Sequence, residues 1–129
     1  MRQRGRSILK EKQDSGNALS KTVQAYIEAH CTEHFSLQEM AGALYMNGSY
    51  LLRTFRQQTG MTPLTYHHLM RCEKAKELLC DPRLSISQAG ESAGFVSSSH
   101  FSHIFRKIVG CTPSEYRKQH MNDPERTDK

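Results

Sequence analysis

Two arginines three positions apart, Arg53 and Arg56, carry the most pointed chemistry in the chain. A guanidinium can bridge the two major-groove acceptors of guanine, or it can clamp a phosphate. Leu51 and Phe55, four apart in the same stretch, mark a helix face that must be buried. The outward positions are then Ser49, Tyr50, Leu52, Arg53 and Arg56. Arg53 is the best candidate for a base contact, and Tyr50 beside it is another. Leu52 and Ser49 suit a thymine methyl or a base edge, and Arg56 suits a phosphate. A second stretch, SSSHFSHIFRK from Ser97 to Lys107, has the same form. Phe101 and Phe105 face inward, and Ser98, Ser99, Ser102 and His103 face outward. Arg106 and Lys107 are the phosphate candidates there. Hydroxyls make single hydrogen bonds and no bidentate clamp, so this stretch is expected to read sequence less sharply.

Other chemistry is poorly supported. His30 and His34, His67 and His68, and His100 and His103 are close in sequence, but no third ligand falls at metal-binding spacing. They are expected on the surface or facing DNA, and no metal or cofactor is called. No nucleophile–base pair or phosphate-binding glycine loop stands out, so no enzyme is expected. Cys31, Cys72, Cys80 and Cys111 show no CxxC spacing and read as thiols that fill small apolar spaces.

The elements that must carry these side chains are marked by caps. Ser36 with Glu39, Ser85 with Gln88, and Thr112 with Glu115 are spaced as capping boxes. Asn47 and Ser97 are good N-caps. Pro63 and Pro113 stand at first helical positions, and Gly60 and Gly110 at helix ends. These marks repeat. Phe, Arg, Gly, Thr, Pro and Tyr recur from Phe55–Tyr66 to Phe105–Tyr116 at an offset of 50, whereas Ser36 and Ser85 are 49 apart. The second copy therefore has one extra residue in its turn. Each copy reads as a short helix, a tight turn and a second helix: a helix-turn-helix, over about 36–57 and 85–107. Residues 63–79 read as a joining helix, spanning roughly 25 Å, that ends at Asp81-Pro82. An earlier helix runs from Lys21 to about His30. The expected fold is all-α, with two helix-turn-helix subdomains joined by a long linker helix.

Net charge is +5, from 18 basic and 13 acidic residues. Residues 1–12 alone hold Arg2, Arg4, Arg6, Lys10 and Lys12 against Glu11, so most of the excess lies in the N-terminal stretch. Residues 1–18 are expected to be a disordered basic tail and 120–129 a disordered tail, leaving one domain over 19–119. No apolar run is long enough to be a signal peptide or to span a membrane, which points to a cytoplasmic protein.

The set Gly94-Phe95, Phe101, Ser102, Phe105, Arg106, Gly110, Thr112-Pro113 and Tyr116-Arg117 resembles the DNA-binding domain of the AraC/XylS transcription regulators. Arg71 with Ala75 and Leu78-Leu79 is similar to that family's linker helix. The resemblance implies a bacterial, nucleoid-associated regulator whose two recognition helices enter adjacent segments of the DNA major groove. It also implies a base-contacting role at Arg53. The short chain resembles single-domain members that bind double-stranded DNA as monomers. The alternative is a truncated regulator acting as a protein-interaction module on RNA polymerase or a full-length relative. Gly90 departs from the family, where alanine is usual, and is expected to cost about 1 kcal/mol of helix propensity and some rigidity.

Overall fold

The computed structural model describes residues 18–121, and the expectations for 1–17 and 122–129 lie outside the described residues. Among the described residues there are seven helices and no strand. Helix α1 occupies 18–29. It is followed by α2 (Leu37–Ala43), α3 (Gly48–Thr59), α4 (Pro63–Leu79), α5 (Ile86–Ser92), α6 (Ser98–Val109) and α7 (Pro113–Met121). Ala18, His120 and Met121, assigned to the tails from composition, are helical.

The chain divides into two compact units. The first comprises the residues up to His30 and Phe35–His67; the second comprises Cys31–His34 and the residues from His68 onward. The boundary falls inside α4, so this helix is no bare spacer. Pro63 and His67 are buried in unit 1, while Cys72, Ala75 and Leu79 belong to the core of unit 2.

Unit 1 buries Val23 and Ile27 of α1, Met40 and Ala41 of α2, and Leu51 and Phe55 of α3. Phe55 meets Tyr66 edge-on at 6.0 Å. The Tyr66 hydroxyl donates to Glu28 at 2.5 Å. Burial, and then this carboxylate, push the phenol up to about 12. Unit 2 is built on three aromatic rings, with Phe95 packed on Phe101 at 4.9 Å and Phe101 on Phe105 at 5.6 Å. Each such ring contributes roughly 1.5–3 kcal/mol on full burial. The thiol of Cys72 lies wholly inside this core, and burial pushes it up to about 12.

Most caps form as their spacing implies. Asn47 accepts from the Tyr50 amide and Ser97 from the His100 amide. The boxes at Ser85–Gln88 and Thr112–Glu115 are complete. The box at Ser36 is only half made: its hydroxyl accepts from the Glu39 amide at 3.1 Å, and the Glu39 carboxylate, on an exposed residue, does not return the bond.

The two turns share one C-cap geometry. In unit 1, Met46 N–H donates to Ala41 and Tyr45 N–H to Gly42; in unit 2, Phe95 donates to Gly90 and Gly94 to Glu91. This is the paired bonding of a Schellman end, which needs a left-handed residue after the cap. Gly94 meets that need at φ 108, and Tyr45 meets it at φ 56 with a full side chain. The extra residue of the second copy is therefore Val96, between these bonds and the Ser97 cap; it is 82% exposed.

Gly90 also has a packing reason. A Cβ built there would lie 2.3 Å from Cδ2 of Phe101. The glycine is the seat of the Phe101 ring, so its cost in propensity is offset by an aromatic contact rather than expressed as looseness.

Candidate nucleic-acid interface

Helix α3 turns one face inward through Leu51 and Phe55. Its remaining positions include Ser49, Tyr50, Leu52, Arg53 and Arg56, all exposed. Asn47 ties the first turn at one end, and Gly60 ends the helix in the left-handed region at φ 80. The outward side chains are thus carried on a helix fixed at both ends. The Arg53 guanidinium lies 5.8 Å from the centre of the Tyr50 ring, a separation at which a cation is drawn to an aromatic face.

Helix α6 repeats the arrangement with different groups. Phe101, Ile104 and Phe105 are buried, and Ser98, Ser99, Ser102, His103, Arg106 and Lys107 are exposed. Ser102, His103, Arg106, Lys107 and Thr112 line one open concavity of about 460 Å3. Ser98 is partly committed, because its hydroxyl shares a 3.0 Å hydrogen bond with Ser87 of α5.

Neither helix contains a carboxylate, while each carries two cations. Little of the net charge lies outside residues 1–12, yet on these two helices the cations are sorted from the acids. A face with donors and cations and no acid is suited to a polyanion.

Two histidine expectations need correction. His67 is buried at 2% exposure, and His100 is half-buried rather than displayed. His100 turns against Phe95 at 5.8 Å and meets His68 edge-on at 6.0 Å, and its Nδ1 is shut from solvent with no hydrogen-bond partner. The reason is register: His100 precedes Phe101 and leans into the turn, whereas His103 falls on the outward face. Burial, and then the charges of His100, Arg71 and Lys107, hold His68 below its ordinary 6.5.

The structural roles of three residues escaped the sequence reading. Tyr45 is 96% exposed in the turn before α3. Its alignment with Gly94 at the offset of 49 was the available signal for its left-handed backbone. Arg117 donates to the carbonyls of Leu79, Asp81 and Leu84, fixing the chain that enters α5. Arg71, noted only for its resemblance, holds carbonyls of the segment between α1 and α2.

A short helix, a turn and a second helix with a cationic outward face, occurring twice, define a tandem helix-turn-helix domain. Residues 40–119 match a family described as a helix-turn-helix domain, and the chain belongs to the AraC/XylS family of transcription regulators. It is 36% identical over 93 residues to the arabinose operon regulatory protein of Salmonella typhimurium, covering 71% of this chain and 33% of that protein. An AraC-type transcriptional regulator from Chromobacterium violaceum superposes with a TM-score of 0.77 at 30% identity, covering 86% of this chain and 98% of the other. The DNA-binding domain of AdpA, solved in complex with a target DNA, gives 0.71 at 29% identity over 78% of this chain and 91% of the other. The chain spans a third to two fifths of the length of the curated relatives it matches. No helix among the described residues is long and apolar enough to cross a membrane.

Proposed function

We propose that the chain binds double-stranded DNA sequence-specifically and regulates transcription by inserting α3 and α6 into adjacent segments of the major groove. The observation that carries this reading is the sorting of charge on two capped helices, each with a buried apolar face and an exposed face free of carboxylates. Arg53 is assigned to a guanine, with Ser49, Tyr50 and Leu52 beside it at neighbouring base edges. Ser98, Ser99, Ser102 and His103 make single, weaker base contacts. Arg56, Arg106 and Lys107 hold phosphates and set the register. The chain acts on DNA as a monomer, because its two reading helices already supply two half-sites. RNA polymerase is the protein partner that such a regulator would address from its site.

The test is selection of bound sites from a random duplex library, followed by footprinting and gel shift at two salt concentrations. A defined site protected in two adjacent major-groove segments is the expected result. Deletion of residues 1–12 should flatten the salt dependence, by a slope of about 0.9 for each phosphate no longer neutralised, while base preference persists. Retention of every duplex with equal strength would remove the sequence-specific reading. Absence of any DNA retention would favour the interaction module.

A further inference from the structure

The four residues Cys31–His34 leave α1 and lie with unit 2. They form a strap held between Arg71 and Gly94. Arg71 of α4 is 7% exposed; its Nε donates to the Cys31 carbonyl at 2.7 Å, and Nη2 donates to the Glu33 carbonyl at 2.6 Å. On the other side the strap runs past Gly94, where a Cβ would come within 2.7 Å of the Thr32 backbone and 2.9 Å of Arg71 Nε. Glycine is thus required twice at this position, for its left-handed φ of 108 and for the passage of the strap. The Arg71 guanidinium carbon also lies 5.7 Å from the centre of the Phe95 ring. Phe95 in turn packs on His100 and Phe101 at the start of α6.

Strap, guanidinium, Phe95 and the first turn of α6 therefore form one continuous stack. Burial lowers the pKa of Arg71, so taking this charge out of water opposes folding, and the two carbonyl bonds offset that cost. An apolar residue of similar volume would fill the space without that cost. What the guanidinium adds is direction. Its fork fixes the two carbonyls and presents a flat face to Phe95, which a lysine cannot do.

We propose that Arg71 is a positioning residue for the second reading helix: it sets the start of α6 through Phe95, using the strap as its anchor, and it does not touch DNA. This rests on the reading of α6 as a DNA-reading helix, and one arm of the test is independent of DNA. In the full chain, Arg71→Lys should keep its circular dichroism but speed hydrogen exchange at the amides from Phe95 to Phe101, with α3 unchanged. On the selected site it should weaken binding on the order of tenfold, which corresponds to about 1.4 kcal/mol. Footprint protection should fall only over the half whose protection also falls in a Ser99→Ala, Ser102→Ala, His103→Ala variant. Gly94→Ala, which displaces the strap from its other side, should give the same pattern. Unaltered exchange at α6 in both variants would overturn the proposal whether or not the chain binds DNA. Altered exchange in the variants, together with no specific footprint from the wild type, would remove the DNA reading but leave the packing role. Equal weakening over both halves of the footprint would make Arg71 a phosphate contact or a general stabiliser, and would also overturn it.

Discussion

Where α2 and α3 bury their shared face, the chain has Ala41 and Leu51; at the matching places of α5 and α6 it has Gly90 and Phe101. The first pair divides the available volume between a methyl and a branched chain. The second gives nearly all of it to a ring, which comes so close that no Cβ fits beneath it. At exposed positions the two copies differ without such pairing. Arg53 and Leu52 on α3 stand where His103 and Ser102 stand on α6, and Tyr45 stands where Gly94 does. The buried pair keeps one plan while its contents diverge, because a core tolerates substitutions together when their total volume is kept.

The largest effect should come from mixing the pairs. Gly90→Ala puts a Cβ against the Phe101 ring and should destabilise unit 2 by up to about 3 kcal/mol in urea unfolding. Gly90→Ala with Phe101→Leu recreates the unit 1 pair and should recover most of that stability. Additive destabilisation in the double variant would show that the two positions are not coupled.

Next in size is the difference between the reading faces. Arg53→Ala should cost about 2 kcal/mol on the selected site and relax preference at one base pair. His103→Ala at the matching place should cost less than about 1 kcal/mol, since only a single hydrogen bond is removed. Uniform weakening of Arg53→Ala across all sequences would move Arg53 to a phosphate.

Smaller again is the turn. A left-handed non-glycine residue costs roughly 1–2 kcal/mol, and a glycine relieves this but gives back part of the gain through its greater unfolded-state freedom. Tyr45→Gly should therefore raise stability by about 0.5 kcal/mol, shown by a higher urea midpoint. A lower midpoint would show that the exposed Tyr45 ring makes contacts that stabilise unit 1.

The smallest effect is with pH. His68 is held below its ordinary 6.5, so the unfolded chain takes up that proton first as pH falls. Stability contributed by the neutral ring is present above about pH 6.5 and is lost below it. Melting of the wild type should drop more between pH 7 and pH 5.5 than melting of His68→Gln. Equal slopes would assign the drop to other groups.

Much of this was legible because it is local. Asn47, Ser85, Ser97 and Thr112 announce helix starts through bonds made three residues away, and Gly60 and Gly110 announce ends through backbone freedom. The outward faces of α3 and α6 followed from the spacing of Leu51, Phe55, Phe101 and Phe105. What the spacing hid was set by partners distant in sequence. Gly90 looked like a weakness because its partner, Phe101, belongs to another helix. His67 and His100 looked exposed because a polar ring carries no mark of burial. The span of α4 could be read, yet its division between two cores could not, since each core recruits a different stretch of it. Exposure of the candidate contacts was readable; which base each one meets depends on DNA and is not written in the helix period.

The strap has a consequence for the order in which the molecule can be made. Everything in unit 1 is already synthesised when His67 leaves the ribosome, so its closure waits for nothing downstream. The strap is made early and used late. Arg71 closes onto carbonyls 40 and 38 positions behind it, and Gly94 and Phe95 arrive later still. Unit 2 thus closes after unit 1, because Gly94 and Phe95 emerge later than His67. A chain stalled before Gly94 lacks the backing that Gly94 gives to residues 31–34, so limited proteolysis should cut there faster than in the full chain.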